Sequence, residues 1–245
     1  MADNRAELYI VATPIGNLSD ITLRALETLR SVDVIACEDT RHSLRLLNAH
    51  GISKPLISCR AHNESAAVRQ IISRLEAGEN IAFVSDAGTP GISDPGALLV
   101  RKVRDEGFRV VPIPGASALS AIMSISGFSG KRVIFEGFLS PKSGKRKKQI
   151  KDLLEMDSSF ILYESPFRIV KLLADMAELC LQRSENRKIL CGRELTKVYE
   201  EVLEGHADEL YNILAARPSI KGEFVVLVSS PMRLPSTSQL ASASP

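Results

Sequence analysis

Three observations predict an α/β protein with two domains. Apolar runs of strand length alternate with amphipathic helical patterns along most of the 245 residues, as expected where helices join parallel strands. The run at residues 81–84 is apolar at every position, which is typical of a central strand covered on both faces. The alternation restarts after residues 115–130, so we expect a second domain to follow that joint.

The first half predicts five strands joined by helices. The strands are expected at residues 8–12, 32–36, 56–59, 81–84 and 110–113. Asp20 can cap the first helix, in which leucine recurs every three residues from position 23 to position 29. Further helices are predicted at residues 43–48, 65–77 and 97–106, each followed by a glycine that can end it.

The second half repeats the pattern. Strands are expected at residues 133–138, 160–163, 189–191 and 224–228, and helices at residues 150–156, 169–179 and 208–215. Because strands alternate with helices, we expect parallel strands and right-handed crossovers in both halves. The predicted domains are residues 1–118 and 119–231, followed by a tail at 232–245 whose Ser, Pro and Ala content predicts disorder.

The composition excludes several classes of protein. Apolar residues make up 44% of the chain and charged residues 24%, which is close to the globular average and excludes disordered or fibrous chains. No apolar run approaches the length of a membrane span, and the N-terminus has no secretory signal pattern, so we expect a cytoplasmic protein. The four cysteines lack the spacing of a zinc site or redox pair, so we expect buried, reduced thiols and no metal.

Two strand-end loops of the first half carry polar residues. Ligands of open α/β sheets bind beyond the carboxyl ends of the strands. The loop at residues 13–20 lacks the dinucleotide fingerprint and could equally be an ordinary turn. The loop at residues 37–42 contains Glu38, Asp39, Thr40 and Arg41. Either this loop is a functional site, or Asp39 or Thr40 simply caps the next helix.

The most specific loop is at residues 85–96. Its three glycines permit close approach of backbone to a ligand, and its two prolines stiffen it. Asp86 stands at the end of the most apolar strand, where a carboxylate can accept hydrogen bonds from ligand hydroxyl or amino groups. The loop at residues 114–118 places Pro-Gly-Ala-Ser before a helix, which offers backbone N–H groups to a ligand, or a serine cap alone.

A basic stretch opens the second half. Residues 139–151 hold six cations and no acidic residue. Such a run is usually a solvated helix face, but Ser-Pro and Ser-Gly pairs predict a mobile loop at its start. We therefore expect it to contact the phosphates of a nucleic acid.

The strand-end loops together resemble one family. Residues 85–96 are similar, almost letter for letter, to the signature of the bacterial 16S ribosomal RNA cytidine 2′-O-methyltransferases, in the tetrapyrrole methylase superfamily. Shorter matching pieces follow in order at residues 13–17, 38–41, 114–118, 136–139, 163–166, 193–197 and 221–224. The resemblance spans about residues 8–230. One departure is Phe167, at a position where the pattern has histidine, so no histidine role is expected there.

The resemblance implies a fold and a cofactor. The fold is two α/β/α domains of the class III methyltransferase type, with S-adenosylmethionine in the cleft between them. A homodimer and the absence of a metal cofactor are also implied. The cofactor-binding residues implied are Ile15, Asp86, Thr89, Ser117, Ala118, Tyr163, Gly222 and Glu223.

The implied activity is methylation of the ribose 2′-hydroxyl of a cytidine in the decoding region of 16S ribosomal RNA. A ribose hydroxyl is a very weak acid, so a positioned base would accelerate transfer by about 10²–10⁴-fold. The catalytic candidates are Glu38, Asp39, Arg41 and Glu164, with Glu223 as a further base. The RNA, free or in the small subunit, is expected to meet Lys142, Lys145, Arg146, Lys147, Lys148 and Arg193, and no DNA substrate is expected.

Two other functions compete with this prediction. A tetrapyrrole C-methyltransferase would need a broad apolar trough, whereas this chain is 5% aromatic, has no tryptophan and carries a lysine-rich stretch. A non-catalytic RNA-binding protein of ribosome assembly would need only the basic surface, so the polar strand-end loops argue against it. Cofactor binding would separate catalysis from simple RNA binding.

Overall fold

The chain forms two compact units. The computed structural model describes residues 6–60, 62–128 and 132–231, so the predicted C-terminal tail lies outside the described residues. The first unit is Met1–Ser120 and the second unit is Ala121–Pro245.

The first unit is built on a parallel sheet with helices on both faces. Its strands, in the spatial order β3-β2-β4-β1-β5, are β1 (Glu7–Val11), β2 (Val34–Cys37), β3 (Leu56–Ser58), β4 (Ile81–Val84) and β5 (Arg109–Ile113). Its helices are α1 (Leu23–Ser31), α2 (Thr40–Ala49), α3 (Glu64–Glu76) and α4 (Ala97–Asp105), and α5 (Ala118–Ser124) follows β5. All four strand pairings are parallel, as predicted.

The strands alternate between two hydrophobic clusters because successive side chains point to opposite faces. Ala36 and Phe83 pack with the side chains of α3 and α4, whereas Ile35 and Ala82 pack with those of α1 and α2. Both faces of the central strands are therefore covered, which explains their uninterrupted apolar sequences.

The cap of α1 differs from the prediction. Thr22, not Asp20, is the capping residue, because its side chain accepts a 3.1 Å hydrogen bond from the Ala25 N–H. Asp20 lies in a separate 3₁₀ turn before it. Both residue types favour caps, so the sequence alone did not separate them.

The second unit has a mixed sheet in the order β6-β7-β10-β8-β9. Its strands are β6 (Val133–Phe138), β7 (Ser159–Glu164), β8 (Ile189–Arg193), β9 (Glu201–Gly205) and β10 (Phe224–Val228), and its further helices are α6 (Ser143–Glu155), α7 (Ile169–Arg183) and α8 (Ala207–Ala215). The three helices share one hydrophobic cluster with the sheet. The chain is thus an α/β protein, as predicted.

The prediction of an all-parallel second sheet is wrong. Strand β10 runs antiparallel to both β7 and β8, and β9 runs antiparallel to β8. Phe224, the first residue of β10, therefore lies opposite both Glu164 and Arg193, the last residues of β7 and β8. As a result, the segment before β10 reaches the edge at which β7 and β8 end.

All four cysteines are free thiols, and Cys180 alone among them is only half-buried. Burial raises the pKa of the Cys191 thiol to about 12. Within the described ranges, no group of three His, Cys, Asp or Glu side chains is placed to hold a metal ion. No helix of that part of the chain is long and apolar enough to cross a membrane.

Candidate functional site

Hydrogen bonds join three strand-end loops of the first unit. The Thr13 N–H donates to the Gly88 carbonyl at 2.8 Å, and the Gly88 N–H returns a 3.1 Å bond to the Thr13 carbonyl. The Thr89 hydroxyl donates to the Ala116 carbonyl at 3.1 Å. The loops after β1, β4 and β5 thus meet at one edge of the sheet, as the sequence predicted for neighbouring parallel strands.

These loops pack so closely that no residue larger than glycine fits at two of their positions without a local shift. A Cβ on Gly88 would lie 3.2 Å from Ile15 Cγ2, and one on Gly115 would lie 2.9 Å from Ala12 Cβ. Gly88 also has a φ of +77°, which favours glycine. The structure therefore brings Ile15 and Thr89 to one edge, while Ser117 and Ala118 follow β5 at the start of α5.

Carboxylates gather where β2 and β4 end, and we call Glu38, Asp39, Asp86 and Asp94 the acidic cluster. The Asp39 N–H donates to Asp86 Oδ1 at 2.9 Å. Burial, followed by the charges of Asp86 and Asp94, raises the pKa of Glu38. A hydrogen bond from the Asp86 backbone opposes this rise in part. Glu38 is therefore a carboxyl poised to accept a proton nearer neutral pH than an ordinary glutamate.

Asp39 has a different environment from Glu38. Its side chain caps α2 by accepting from the Arg41 N–H at 2.9 Å, and it also accepts from Arg41 Nη2 at 2.9 Å. Hydrogen bonds from Arg41 hold the pKa of Asp39 well below its usual range. Arg60 adds a contact of 3.3 Å to the same carboxylate. The structure thus shows that Asp39 caps α2, and that the Arg41 side chain is bound to the Asp39 carboxylate.

A second group of predicted residues lies at the strand ends of the second unit. Tyr163 packs edge-on against Phe135 and Phe138, with ring centroids 5.0 Å and 5.8 Å away. The Glu223 N–H donates to Glu194 Oε1 at 3.0 Å. Gly222 has a φ of +93°, and a Cβ there would overlap Glu194 Cγ. Only glycine fits at position 222 without a local rearrangement.

Glu164 has a buried carboxylate with one oxygen unused. Its Oε1 accepts from Arg168 Nε and from the Ser165 N–H, both at 2.7 Å. Its Oε2 is buried and has no hydrogen-bond partner among the described residues. Buried polar atoms are nearly always satisfied, so this unpartnered oxygen is an exception within the second unit.

The basic stretch contains two kinds of cation. Lys142, Lys145 and Lys148 are exposed. Arg146 is 4% exposed, and its guanidinium donates to Asp175 Oδ2 at 2.7 Å. The predicted phosphate contact does not fit Arg146, because its charge is neutralised inside the second unit.

Lys147 and the start of the stretch also differ from expectation. Lys147 Nζ lies 2.6 Å from Glu178 Oε2, so a carboxylate already neutralises it. Only residues 139–142 precede the helix, because α6 begins at Ser143. The buried positions of α6 are 146, 150, 153 and 154, the spacing of one helical face, and this spacing could have predicted that Arg146 is buried.

Arg193 belongs to a cluster that the sequence did not predict. Its Nε donates to Glu201 Oε2 at 2.9 Å, and Arg217 binds both oxygens of the same carboxylate at 2.7 and 2.8 Å. These two arginines lower the pKa of Glu201 to about 2. Their meeting depends on strand β9, which was not predicted.

Comparisons with known proteins agree with this architecture. The sequence profile of the Tetrapyrrole (Corrin/Porphyrin) Methylases matches residues 7–211. The chain belongs to this family. This chain is 48% identical over 223 residues to the Ribosomal RNA small subunit methyltransferase I of Borrelia garinii, covering 91% of this chain and 98% of the relative. It is 47% identical over 229 residues to the protein of that name from Haemophilus influenzae, covering 93% and 80% of the two chains. These identities confirm the predicted family.

Solved structures share the tetrapyrrole methylase fold at low identity. A cobalt precorrin-4 methyltransferase matches with a TM-score of 0.68 and 18% identity, covering 91% of this chain and 94% of that one. A diphthine synthase matches with a TM-score of 0.68 and 15% identity, covering 91% and 90%. A uroporphyrin-III C-methyltransferase from Thermus thermophilus, in complex with S-adenyl homocysteine, matches with a TM-score of 0.62 and 15% identity, covering 91% and 97%.

Proposed function

We propose that this tetrapyrrole methylase transfers a methyl group from S-adenosylmethionine to the ribose 2′-hydroxyl of a cytidine in the decoding region of 16S ribosomal RNA. The observation that most strongly supports this proposal is the 48% identity, over 91% of the chain, to a relative named for methylation of small-subunit ribosomal RNA. The cytidine and the 2′ position rest on the resemblance of residues 85–96 to the signature of that group.

The strand-end residues fit S-adenosylmethionine. Its sulfonium supplies an activated methyl group. In the first unit we assign the cofactor to Ile15, Asp86, Thr89, Ser117 and Ala118, in loops that Gly88 and Gly115 allow to pack closely together. In the second unit, Tyr163, Gly222 and Glu223 remain the candidates. Holding the acceptor in line would supply on the order of 7–11 kcal/mol.

Glu38 is the base that the electrostatics favour. A base acts best when its pKa lies near the working pH, and burial together with Asp86 and Asp94 raises the pKa of Glu38. Asp39 is a weaker candidate, because Arg41 lowers its pKa. Glu223 pairs with Lys197 at 2.9 Å, and Glu164 pairs with Arg168 at 2.7 Å. We therefore propose that Glu38 accepts the proton of the ribose 2′-hydroxyl. The remaining catalytic candidates are assigned to positioning the reacting groups, and these are Asp39, Arg41 and Glu164.

The substrate side of the proposal rests on exposed cations. Lys142, Lys145 and Lys148 are exposed and can meet phosphates, and Arg193, which is paired with Glu201, is a further candidate through its unused N–H groups. A protein that modifies ribosomal RNA works where the subunits are, so we place the enzyme in the cytoplasm. The homodimer that the resemblance implies is checked by sedimentation equilibrium of the purified chain.

The test uses small ribosomal subunits that lack the modification. They are incubated with purified protein and methyl-labelled S-adenosylmethionine, the RNA is digested, and the labelled nucleoside is identified by mass. We expect 2′-O-methylcytidine. A labelled base, or a different nucleoside, would contradict the assigned acceptor. Protein that binds the cofactor but leaves all RNA unlabelled would favour a tetrapyrrole acceptor.

A matched substrate isolates the acceptor atom. The ribose 2′-hydroxyl is what lets a protein distinguish RNA from DNA at one position. A single deoxycytidine at the target should abolish transfer, while a deoxyribose at the neighbouring nucleotide should not. Methylation of the deoxy target would refute a 2′-hydroxyl acceptor.

A further inference from the structure

A separate cavity of about 370 Å³ opens within the second unit, and we call it the arginine pocket. It is lined by Arg193, Tyr199, Arg217, Ser219, Ile220 and Lys221. These residues come from the end of β8, the segments that flank β9 and α8, and the approach to β10. Its volume falls in the range of small-ligand sites. None of the cofactor candidates lines it.

The arginine pocket is strongly cationic. Three cations line it, and one carboxylate, Glu201, pairs with two of them. The Lys221 ammonium forms no ion pair within the described part of the chain, although the Lys221 carbonyl accepts from Arg193 Nη1 at 3.3 Å. The balance of three positive charges against one negative charge attracts an anion.

The two guanidiniums are fixed and still hold unused donors. A guanidinium carries five N–H groups. Arg193 uses two toward Glu201 and the Lys221 carbonyl, and Arg217 uses two toward Glu201. Glu201 therefore orients both side chains without exhausting them. Fixed guanidiniums with free N–H groups suit the bidentate recognition of phosphate.

An exposed aromatic ring stands beside these cations. Tyr199 is 74% exposed, and it follows a segment fixed by turns and ion pairs. The Lys197 N–H donates to the Glu194 carbonyl at 2.9 Å, and the Lys197 ammonium binds Glu194 and Glu223 at 2.8 and 2.9 Å. A tyrosine held in the open next to arginines matches the way proteins bind unpaired nucleotides, by stacking the base and gripping the phosphate.

We propose that the arginine pocket binds one unpaired nucleotide of the RNA substrate. Arg193, Arg217 and Lys221 hold its phosphate, and its base stacks on Tyr199. This inference rests on the proposed function and adds a subsite to it. S-adenosylmethionine fits the pocket poorly, because its sulfonium and ammonium groups are cations and three cations line the pocket.

The test compares variants of the full chain. Tyr199→Ala, Tyr199→Phe and Lys221→Gln are compared with Lys171→Gln, which removes an exposed lysine of α7 away from the pocket. The probe is a fluorescein-labelled RNA with the sequence of the decoding-region strand, titrated at several potassium chloride concentrations. Affinity for S-adenosylmethionine is measured in parallel by calorimetry, and kcat and KM are measured on unmodified subunits.

We expect the variants to distinguish the contact with the base from the contact with the phosphate. Tyr199→Ala should weaken RNA binding by about 5–150-fold, with Tyr199→Phe restoring most of it, because a stacked base contributes that much. Lys221→Gln should weaken it and reduce the slope of log affinity against log salt by about 0.7, the value for one phosphate on a single strand. Both should raise KM for subunits while kcat and cofactor affinity stay at the Lys171→Gln level.

Three outcomes separate the pocket from the proposed function. If wild-type protein methylates subunits and the pocket variants match Lys171→Gln in RNA affinity and KM, the pocket proposal is wrong and the function stands. If wild-type protein binds the RNA through Tyr199 but transfers no methyl group, the function is wrong and the subsite stands. If wild-type protein neither methylates subunits nor binds the RNA, both are wrong.

Discussion

One glutamate in each unit lies in electrostatic surroundings opposite to those of the other. In the first unit, Glu38 lies among other carboxylates, and its pKa is raised by burial and by their charges. In the second unit, Glu201 lies between two arginines, and its pKa is lowered to about 2. The surroundings therefore shift the pKa of a glutamate in opposite directions in the two units, upward at Glu38 after β2 and downward at Glu201 at the start of β9.

This contrast assigns different chemistry to the two places. A glutamate whose charged form is disfavoured accepts a proton readily, as a general base must. A glutamate whose charge is locked by arginines orients those arginines instead, so the arginines carry the binding. The four predictions below test the contrast, from the largest expected effect to the smallest.

The largest effect is expected for Glu38→Gln. Removing the base should lower kcat by about 10²–10⁴-fold, or about 3–5 kcal/mol of barrier, and remove the acidic limb of the pH–rate profile. Cofactor affinity should be unchanged. The measurement is single-turnover methylation of subunits over a range of pH. A variant with wild-type turnover would exclude Glu38 as the base.

The next effect concerns the loop that supplies Asp86 and Asp94. Gly96 has a φ of +124°, and a Cβ there would lie 2.7 Å from Cε1 of the buried Phe83. We expect Gly96→Ala to lower the free energy of unfolding by about 2–3 kcal/mol, through backbone strain and overpacking. Urea unfolding measures it. Gly144→Ala is the control, because its Cβ meets nothing within 4 Å, and equal stability of the two variants would contradict the prediction.

A smaller effect is expected at Glu201. The pKa of Glu201 in the folded protein is about 2, below its ordinary value of 4.5. Its ion pairs therefore contribute fully to the free energy of unfolding above pH 4.5, and this contribution is lost as the pH falls toward 2. Glu201→Gln should lower the free energy of unfolding near neutrality by about 1–2 kcal/mol after solvent screening. The loss should shrink on acidification. Unfolding curves at stepped pH test this, and a loss independent of pH would point to packing instead of charge.

The smallest effect is expected for Asp39→Asn. Asparagine caps helices as well as aspartate, and the ion pair with Arg41 is largely exposed, so it contributes little. Turnover should stay within a few-fold of wild type, with the pH profile unshifted. Asp39→Ala, which also removes the cap, is the comparison. A pH profile that moved in Asp39→Asn would make Asp39 a titrating member of the site.

Most of the first unit could be predicted from local sequence, because its central strands are apolar on both faces and glycines follow α2, α3 and α4. The second sheet could not. An apolar run such as β10 fits either strand direction, so its antiparallel pairing is decided by tertiary packing. Strand β9 was missed because it lies at the edge of the sheet, with none of its residues fully buried.

The residues of the candidate site also divide into those that local sequence could place and those that depend on tertiary packing. Glu38 and Asp86 could be brought together in advance, because neighbouring parallel strands end at one edge. Arg217 and Glu201 could not, because their pairing depends on β9. Arg146 was misassigned because a cation in a basic run looks solvated until its partner, Asp175 on α7, is known.

The reciprocal pair of hydrogen bonds between Thr13 and Gly88 has a consequence for hydrogen exchange. Both residues lie outside the strands of the sheet, where amide protons usually exchange quickly with solvent. Here each amide donates to the carbonyl of the other, so both should take up deuterium as slowly as amides inside a strand. Deuterium uptake at these two positions therefore reports how often the loops after β1 and β4 separate.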